Sequence, residues 1–182
     1  MLAPRSPWLR RALTLVAFTA LSTCASLDNI DVAADGKASI PRATIIDKLL
    51  GSLDFTGFDS VDFSGEFENQ GVSKDQVDAV HVKTFTLTID TPTSGDFDFL
   101  ESLSFFASSA GLPKVKIATL SVIPKGARTL ELTADESVDL APYVVAPSMT
   151  ISGEASGDRP AEDTVVSAHV VLDVDVNVPG CD

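Results

Sequence analysis

The longest regular pattern in the chain lies near its C-terminus. From residue 164 to 178, Val166, Ala168, Val170, Leu172, Val174, Val176 and Val178 occupy the even positions, while Ser167, His169, Asp173, Asp175 and Asn177 stand among the odd ones. Successive side chains of a strand point to opposite faces, so this run predicts one long strand with a dry face and a mostly wet one. One-sided burial marks an antiparallel sheet, because parallel strands are covered on both faces. Residues 80–90 repeat the pattern, with Phe85, Leu87 and Ile89 alternating against Thr84, Thr86 and Thr88. Shorter strands are expected over residues 103–107, 114–120, 129–133 and 148–155. In the second of these Val115 and Ile117 face inward, and Lys114 and Lys116 face water.

The N-terminal half is less regular. A first strand over residues 27–33 is marked by Ile30 and Val32, and Asp35-Gly36 reads as a hairpin turn into residues 37–40. After Pro41, the residues Ile45, Ile46, Leu49, Leu50 and Leu53 recur at helical spacing, which predicts a short amphipathic helix within 42–53, stopped by Gly51 near its end. Val61, Phe63 and Phe67 share one parity and Asp62, Ser64 and Glu66 the other, predicting a half-buried strand within 55–67. Asn69-Gln70-Gly71 is a turn. Ser73-Lys74-Asp75-Gln76 has capping-box spacing, so residues 74–79 are expected to make one or two helical turns. A loop at 91–95 and a turn or single helical turn at 138–143 follow. The polar stretch 153–163, with Gly153, Gly157 and Pro160, reads as the most flexible loop. The sum is a mainly β fold: an antiparallel β-sandwich, immunoglobulin-like or similar, with one or two short helices. A β-barrel is the alternative.

The first 23 residues stand apart as a signal peptide, which leaves residues 24–182 as a single domain. Arg5, Arg10 and Arg11 form a positive region, and residues 12–21 an apolar one too short to span a bilayer. Leu21-Ser22-Thr23-Cys24 resembles a lipobox, with Thr23 where Gly, Ala or Ser is usual; an ordinary signal peptidase would cut after Ser22 or after Ala25. Cys24 and Cys181 are the two cysteines of the chain. Either Cys24 is lipidated, a reading favoured by its distance from Arg11, or it pairs with Cys181. The second fate would close a loop around almost the whole domain, worth about 5 kcal/mol in the chain-entropy model. The two are mutually exclusive.

Charge narrows the partners. There are 13 Lys and Arg against 26 Asp and Glu, and three of the arginines belong to the leader. Such a surface repels phosphate backbones and excludes nucleic acid, and it makes direct electrostatic attachment to anionic lipid unfavourable. A membrane link would run through a lipid anchor at Cys24.

Six runs resemble a group of uncharacterised exported proteins of Gram-negative bacteria, many of them lipoproteins. They are Asn69-Gln70-Gly71-Val72, Leu87-Thr88-Ile89, Asp98-Phe99-Leu100-Glu101-Ser102-Leu103, Ile123-Pro124, Val138-Asp139-Leu140 and Ala146-Pro147-Ser148-Met149. The resemblance covers about residues 40–178. It implies export and a β-rich fold, and it carries over no activity and no functional residue.

Candidate chemistry is sparse. His81 and His169 are the only imidazoles, and no Gly-x-Ser-x-Gly elbow, P-loop or zinc spacing accompanies them, so no catalytic or cofactor-binding residue is assigned. Carboxylates form three groups: Asp54, Asp59 and Asp62; Asp96, Asp98 and Glu101; and Asp173 with Asp175. The last two groups are the candidates for a divalent cation, although none follows the EF-hand pattern. A glycosidase pair would need aromatic support for a sugar, and Tyr143 is the sole tyrosine. Phe55, Phe58, Phe63, Phe67, Phe97, Phe99, Phe105 and Phe106 either fill a core or line an apolar pocket; core filling is the expectation. The functional expectation is a non-catalytic envelope protein, lipid-anchored, that binds an envelope partner or contributes structurally. A carrier or sensor of an apolar ligand held between the sheets is the alternative, and an envelope hydrolase comes third.

Overall fold

The structure, a computed structural model, describes residues 29–44 and 48–177. The segment expected to be a signal peptide, Leu27, Ile45, Ile46, Val178 and both cysteines lie outside the described residues. Nine strands and two short helices follow in chain order: β1 (Asn29–Ile40), β2 (Lys48–Leu53), α1 (Ser64–Asn69), β3 (Val77–Thr91), β4 (Leu100–Ser108), β5 (Val115–Leu120), β6 (Thr129–Glu131), β7 (Thr133–Ala134), α2 (Ala141–Val144), β8 (Thr150–Asp158) and β9 (Thr164–Val176). They build two antiparallel sheets, ordered β1-β9-β3-β6 and β2-β8-β4-β5-β7, which form a sandwich and do not close into a barrel.

The two strongest sequence patterns become neighbouring strands. β9 lies between β1 and β3, pairing Val170 with Ala34 on one side and with Phe85 on the other. Its even residues from Val166 to Val176 are buried. Facing them, Phe85 of β3 meets Phe105 of β4 at a centroid separation of 4.2 Å, so this ring pair joins the two sheets. Phe55 and Phe58 extend the cluster, Phe58 edge-on to Phe85 at 6.2 Å and Phe55 5.4 Å from Phe105.

Four local expectations are corrected. Asp35-Gly36 is not a hairpin turn: β1 runs straight through it, pairing Asp35 with His169 and Gly36 with Ala168. The glycine serves packing instead, since a Cβ there would sit 2.9 Å from Cγ of Phe58. A glycine inside a strand often marks such a close approach. The described part of 42–53 is a strand and not a helix, because β2 completes the edge of the second sheet by pairing with β8. Pairing within a sheet overrides a short helical spacing.

The 55–67 strand is likewise absent. Phe55, Phe58, Phe63 and Phe67 are all buried, but at intervals of three, five and four residues, and the last pair brackets the start of α1. This segment crosses between the sheets. Thr56 exchanges backbone bonds with Lys37 of β1, while Phe58 and Val61 bond Ile151 and Met149 at the start of β8. Finally, residues 153–158 belong to β8, which leaves 159–163 as the connection to β9.

The 74–79 region is a single 3-10 turn over residues 74–76, with the expected capping box between Ser73 and Gln76. The strand expected at 129–133 is split. β6 pairs with β3 in one sheet and β7 with β5 in the other, and the chain crosses at Leu132, whose N–H donates to the Phe85 carbonyl at 2.9 Å.

Candidate functional site

The outer face of the β1-β9-β3-β6 sheet gathers both histidines and several carboxylates. Strand pairing sets His81 opposite Asp173, and Thr86 opposite His169. Four residues of β9 thus separate the two imidazole positions, on the order of 13 Å. Each ring is occupied locally: Nδ1 of His81 lies 3.1 Å from the Val138 carbonyl, and Nδ1 of His169 lies 2.7 Å from Asp35. They do not form a pair.

The neighbouring charges also bond along the ladder. Lys83 donates to both carboxylate oxygens of Asp31 at 2.9 and 2.7 Å, and its pKa is raised by that bond and, less, by Asp173. Lys37 and Ser167 both donate to Oδ2 of Asp90, at 3.0 and 2.6 Å, and hold its pKa below the ordinary value. These exposed pairs are screened by solvent and contribute little stability. What they do is fix the positions of charge on the outer face of the sheet.

The carboxylate groups proposed from sequence are dispersed. Asp173 stands beside Lys83 and His81, while Asp175 pairs across the ladder with Asn29 and Ala79. Asp96 accepts from the Asp98 N–H at 3.0 Å, closing a local turn, and Asp98 accepts from the Gly126 N–H at 2.6 Å, tying two loops together. Glu101 is exposed on β4. Among the described residues no set of three or more His, Cys, Asp or Glu side chains converges as a metal site.

Asp96 and Asp98 do line an open cleft of about 390 Å³ with Phe99, Pro92, Pro160 and Glu162. Tyr143 is elsewhere, buried, with its hydroxyl donating to the Pro113 carbonyl at 2.8 Å. Of the eight phenylalanines singled out from the sequence six are buried; Phe99 and Phe106 are half-buried, the latter beneath Lys114 at 4.4 Å.

Asp62, a member of the first acidic group, acts as a local tether. It accepts from the hydroxyl and N–H of Ser64 and from Lys74, which also donates to the Ala146 carbonyl. Ser64 and then Lys74 hold its pKa down at about 2, from an ordinary 3.8. A lowered carboxyl contributes stability that is fully present above its unfolded value and lost as pH falls through its folded one. Wild-type melting temperature should therefore drop more steeply between pH 4 and 2 than that of Asp62→Asn. Carboxyl NMR titration checks the cause: a midpoint near 4 for Asp62 would refute it.

Sequence reasoning missed two connectors. Oδ1 of Asp139 accepts from the N–H groups of Val80 and Ala141, joining β3 to the start of α2. The Arg128 guanidinium donates to the carbonyls of Ile89, Pro92, Thr93 and Gly95, holding the 91–95 loop from across the sheet edge. An aspartate two residues before Ala-Pro was a readable signal for the first. Arg128 carries none, because its partners are backbone atoms more than thirty residues away. No protein-family model matches the chain, and no curated protein matches it in sequence.

Proposed function

We propose that this chain is a non-catalytic protein of the bacterial cell envelope, exported through its N-terminal leader and acting by binding or as a structural element. The observation that carries the reading is the way its chemically capable side chains are engaged. Both histidines, Asp31, Asp62, Asp90, Asp98 and Asp139 each bond a neighbouring strand or loop, and the two imidazoles meet a backbone carbonyl and a carboxylate rather than a hydroxyl nucleophile. Catalysis by acid and base needs such groups convergent on one reacting atom. The acidic surface suits a soluble domain in a crowded compartment, and the resemblance to exported Gram-negative proteins points the same way. Packing of the phenylalanines on one another supports core filling over an apolar-ligand chamber. The domain is then either tethered through Cys24 or free in its compartment.

The test is to express the full chain in a Gram-negative host, fractionate the cells and assay the purified protein. It should leave the cytosol and should not hydrolyse chromogenic ester, glycoside or peptide substrates. Turnover abolished by Asp96→Asn, Asp98→Asn or Asp173→Asn would overturn the non-catalytic reading, and retention in the cytosol would overturn export.

A further inference from the structure

We infer that the cleft between the 91–99 segment and the 159–163 connection binds an extended alkylammonium chain, of the linear polyamine class. The inference rests on the binding reading above and gives it a ligand chemistry. The cleft holds about 390 Å³, within the range of small-molecule sites. One wall is the run from β3 to β4, with Asp96, Asp98 and Phe99. The other is the run from β8 to β9, with Pro160 and Glu162.

Both walls are fixed by bonds to the rest of the fold. Arg128 donates to the carbonyls of Pro92, Thr93 and Gly95, and the Phe97 N–H donates to the Ala127 carbonyl at 2.8 Å. Opposite them, the Ala43 N–H donates to the Pro160 carbonyl at 3.1 Å and the Arg42 N–H to Asp163 at 2.9 Å. The Thr164 hydroxyl donates to the Glu162 carbonyl at 2.9 Å. A ligand therefore meets a preformed site and spends little free energy on ordering loops.

Charge gives the class. Elsewhere on the surface Asp31, Asp62, Asp90 and Glu154 each bond a lysine. None of the residues lining the cleft is Lys, Arg or His, and among the described residues no cationic side chain bonds Asp96, Asp98 or Glu162. A concave site with one sign of charge and low-dielectric walls concentrates counter-ions. A metal ion needs its oxygens gathered on one point, and these carboxylates do not converge on one. Separated charges along an apolar wall match cationic centres joined by methylenes instead. The N–H groups of Asp98 and Gly126 each take one carboxylate oxygen, of Asp96 and Asp98 respectively, which leaves the second oxygen of each for an ammonium. Pro92, Pro160 and Phe99 cover the methylenes, and the aromatic ring can add cation–π attraction.

The experiment is titration of the purified protein with spermidine, read by amide NMR and calorimetry at low salt. One site with a Kd of about 0.1 mM is expected, with shifts confined to the two walls. Raising NaCl to about 0.3 M should weaken binding about fivefold or more. Asp96→Asn with Asp98→Asn keeps oxygens that accept the same N–H bonds, and should weaken binding about tenfold or more. Asp173→Asn with Asp175→Asn removes the same charge from the outer face of the other sheet and should change Kd by less than about twofold. Equal losses in the two double variants would overturn the site in favour of general charge attraction, as would the absence of saturable binding. Mg²⁺ or Ca²⁺ bound more tightly than spermidine would make the cleft a metal site. A trilysine peptide bound about tenfold more tightly would assign it to a protein segment, and either result overturns the polyamine. None of these results bears on export or turnover, so the inference and the reading it extends fail separately.

Discussion

Replacing Phe85 by alanine is expected to cost about 3–5 kcal/mol, the range for deleting a fully buried ring. Phe85 is 0% exposed and holds the centre of the aromatic cluster, with Phe105 on the opposite sheet 4.2 Å away and Phe58 edge-on at 6.2 Å. Its neighbours on β3, Leu87 and Ile89, are fixed by pairing with β9, and its carbonyl receives the Leu132 N–H where the chain changes sheets. The site cannot collapse without moving both sheets, which puts the cost toward the upper end. Thermal melting should fall by about 10 °C or more. Phe106→Ala is the internal comparison: that ring lies half-exposed under Lys114, and its loss should cost about 1 kcal/mol. Urea denaturation of both variants separates the two kinds of ring. A Phe85→Ala domain within 1 kcal/mol of wild type, or one that recovers stability on adding a hydrocarbon ligand already bound by wild type, would make this region a ligand chamber and not a core.

What the sequence made legible follows from where each segment gets its stability. β9 and β3 are half-buried over long stretches, so alternation of apolar and polar residues records their two environments directly. The carboxylates and histidines on their polar parity could be placed on one face for the same reason. Segments whose partners are remote in sequence were misread. Asp35-Gly36 carries a strong local turn signal, yet twelve ladder pairs and the Phe58 ring above Gly36 outweigh it. The 55–67 segment owes its shape to bonds with Lys37, Met149 and Ile151, none of which its own spacing reveals. Splitting of 129–133 between two sheets leaves no mark on a run that alternates correctly throughout. At the candidate site the residue types were visible, but their engagement was not: whether Asp98 is a ligand or a loop tie depends on Gly126, which only the fold brings near.

Gly157 turns that contrast into a measurement. By local sequence it belongs to a polar, glycine-bearing stretch where one more methyl group would matter little. In the fold it lies within β8, between Leu49 of β2 and Leu100 of β4, at the point where the β4–β8 register slips by one residue. Its φ is +149°, and a Cβ there would meet the Phe99 carbonyl oxygen at 2.2 Å, Cα of Leu100 at 2.8 Å and the Glu101 nitrogen at 3.0 Å. All three are backbone atoms, so no side-chain rotation relieves them. The Phe99 carbonyl also accepts the Asp158 N–H at 2.7 Å, and moving it aside would break that bond. Gly157→Ala therefore combines an unfavourable backbone conformation, about 1–2 kcal/mol, with overpacking of about 1–3 kcal/mol. A total loss of about 2–5 kcal/mol is expected. Because Phe99 lines the cleft with Asp96 and Asp98, the same variant should also perturb the amide resonances of that wall. Gly65→Ala supplies the opposite case. It lies in α1, a Cβ there meets nothing within 4 Å, and stability should hold or rise by about 0.5–1 kcal/mol. Equal, near-zero effects at the two glycines would mean that 153–163 is the mobile loop its composition suggests, and that the bulge between β4 and β8 does not exist.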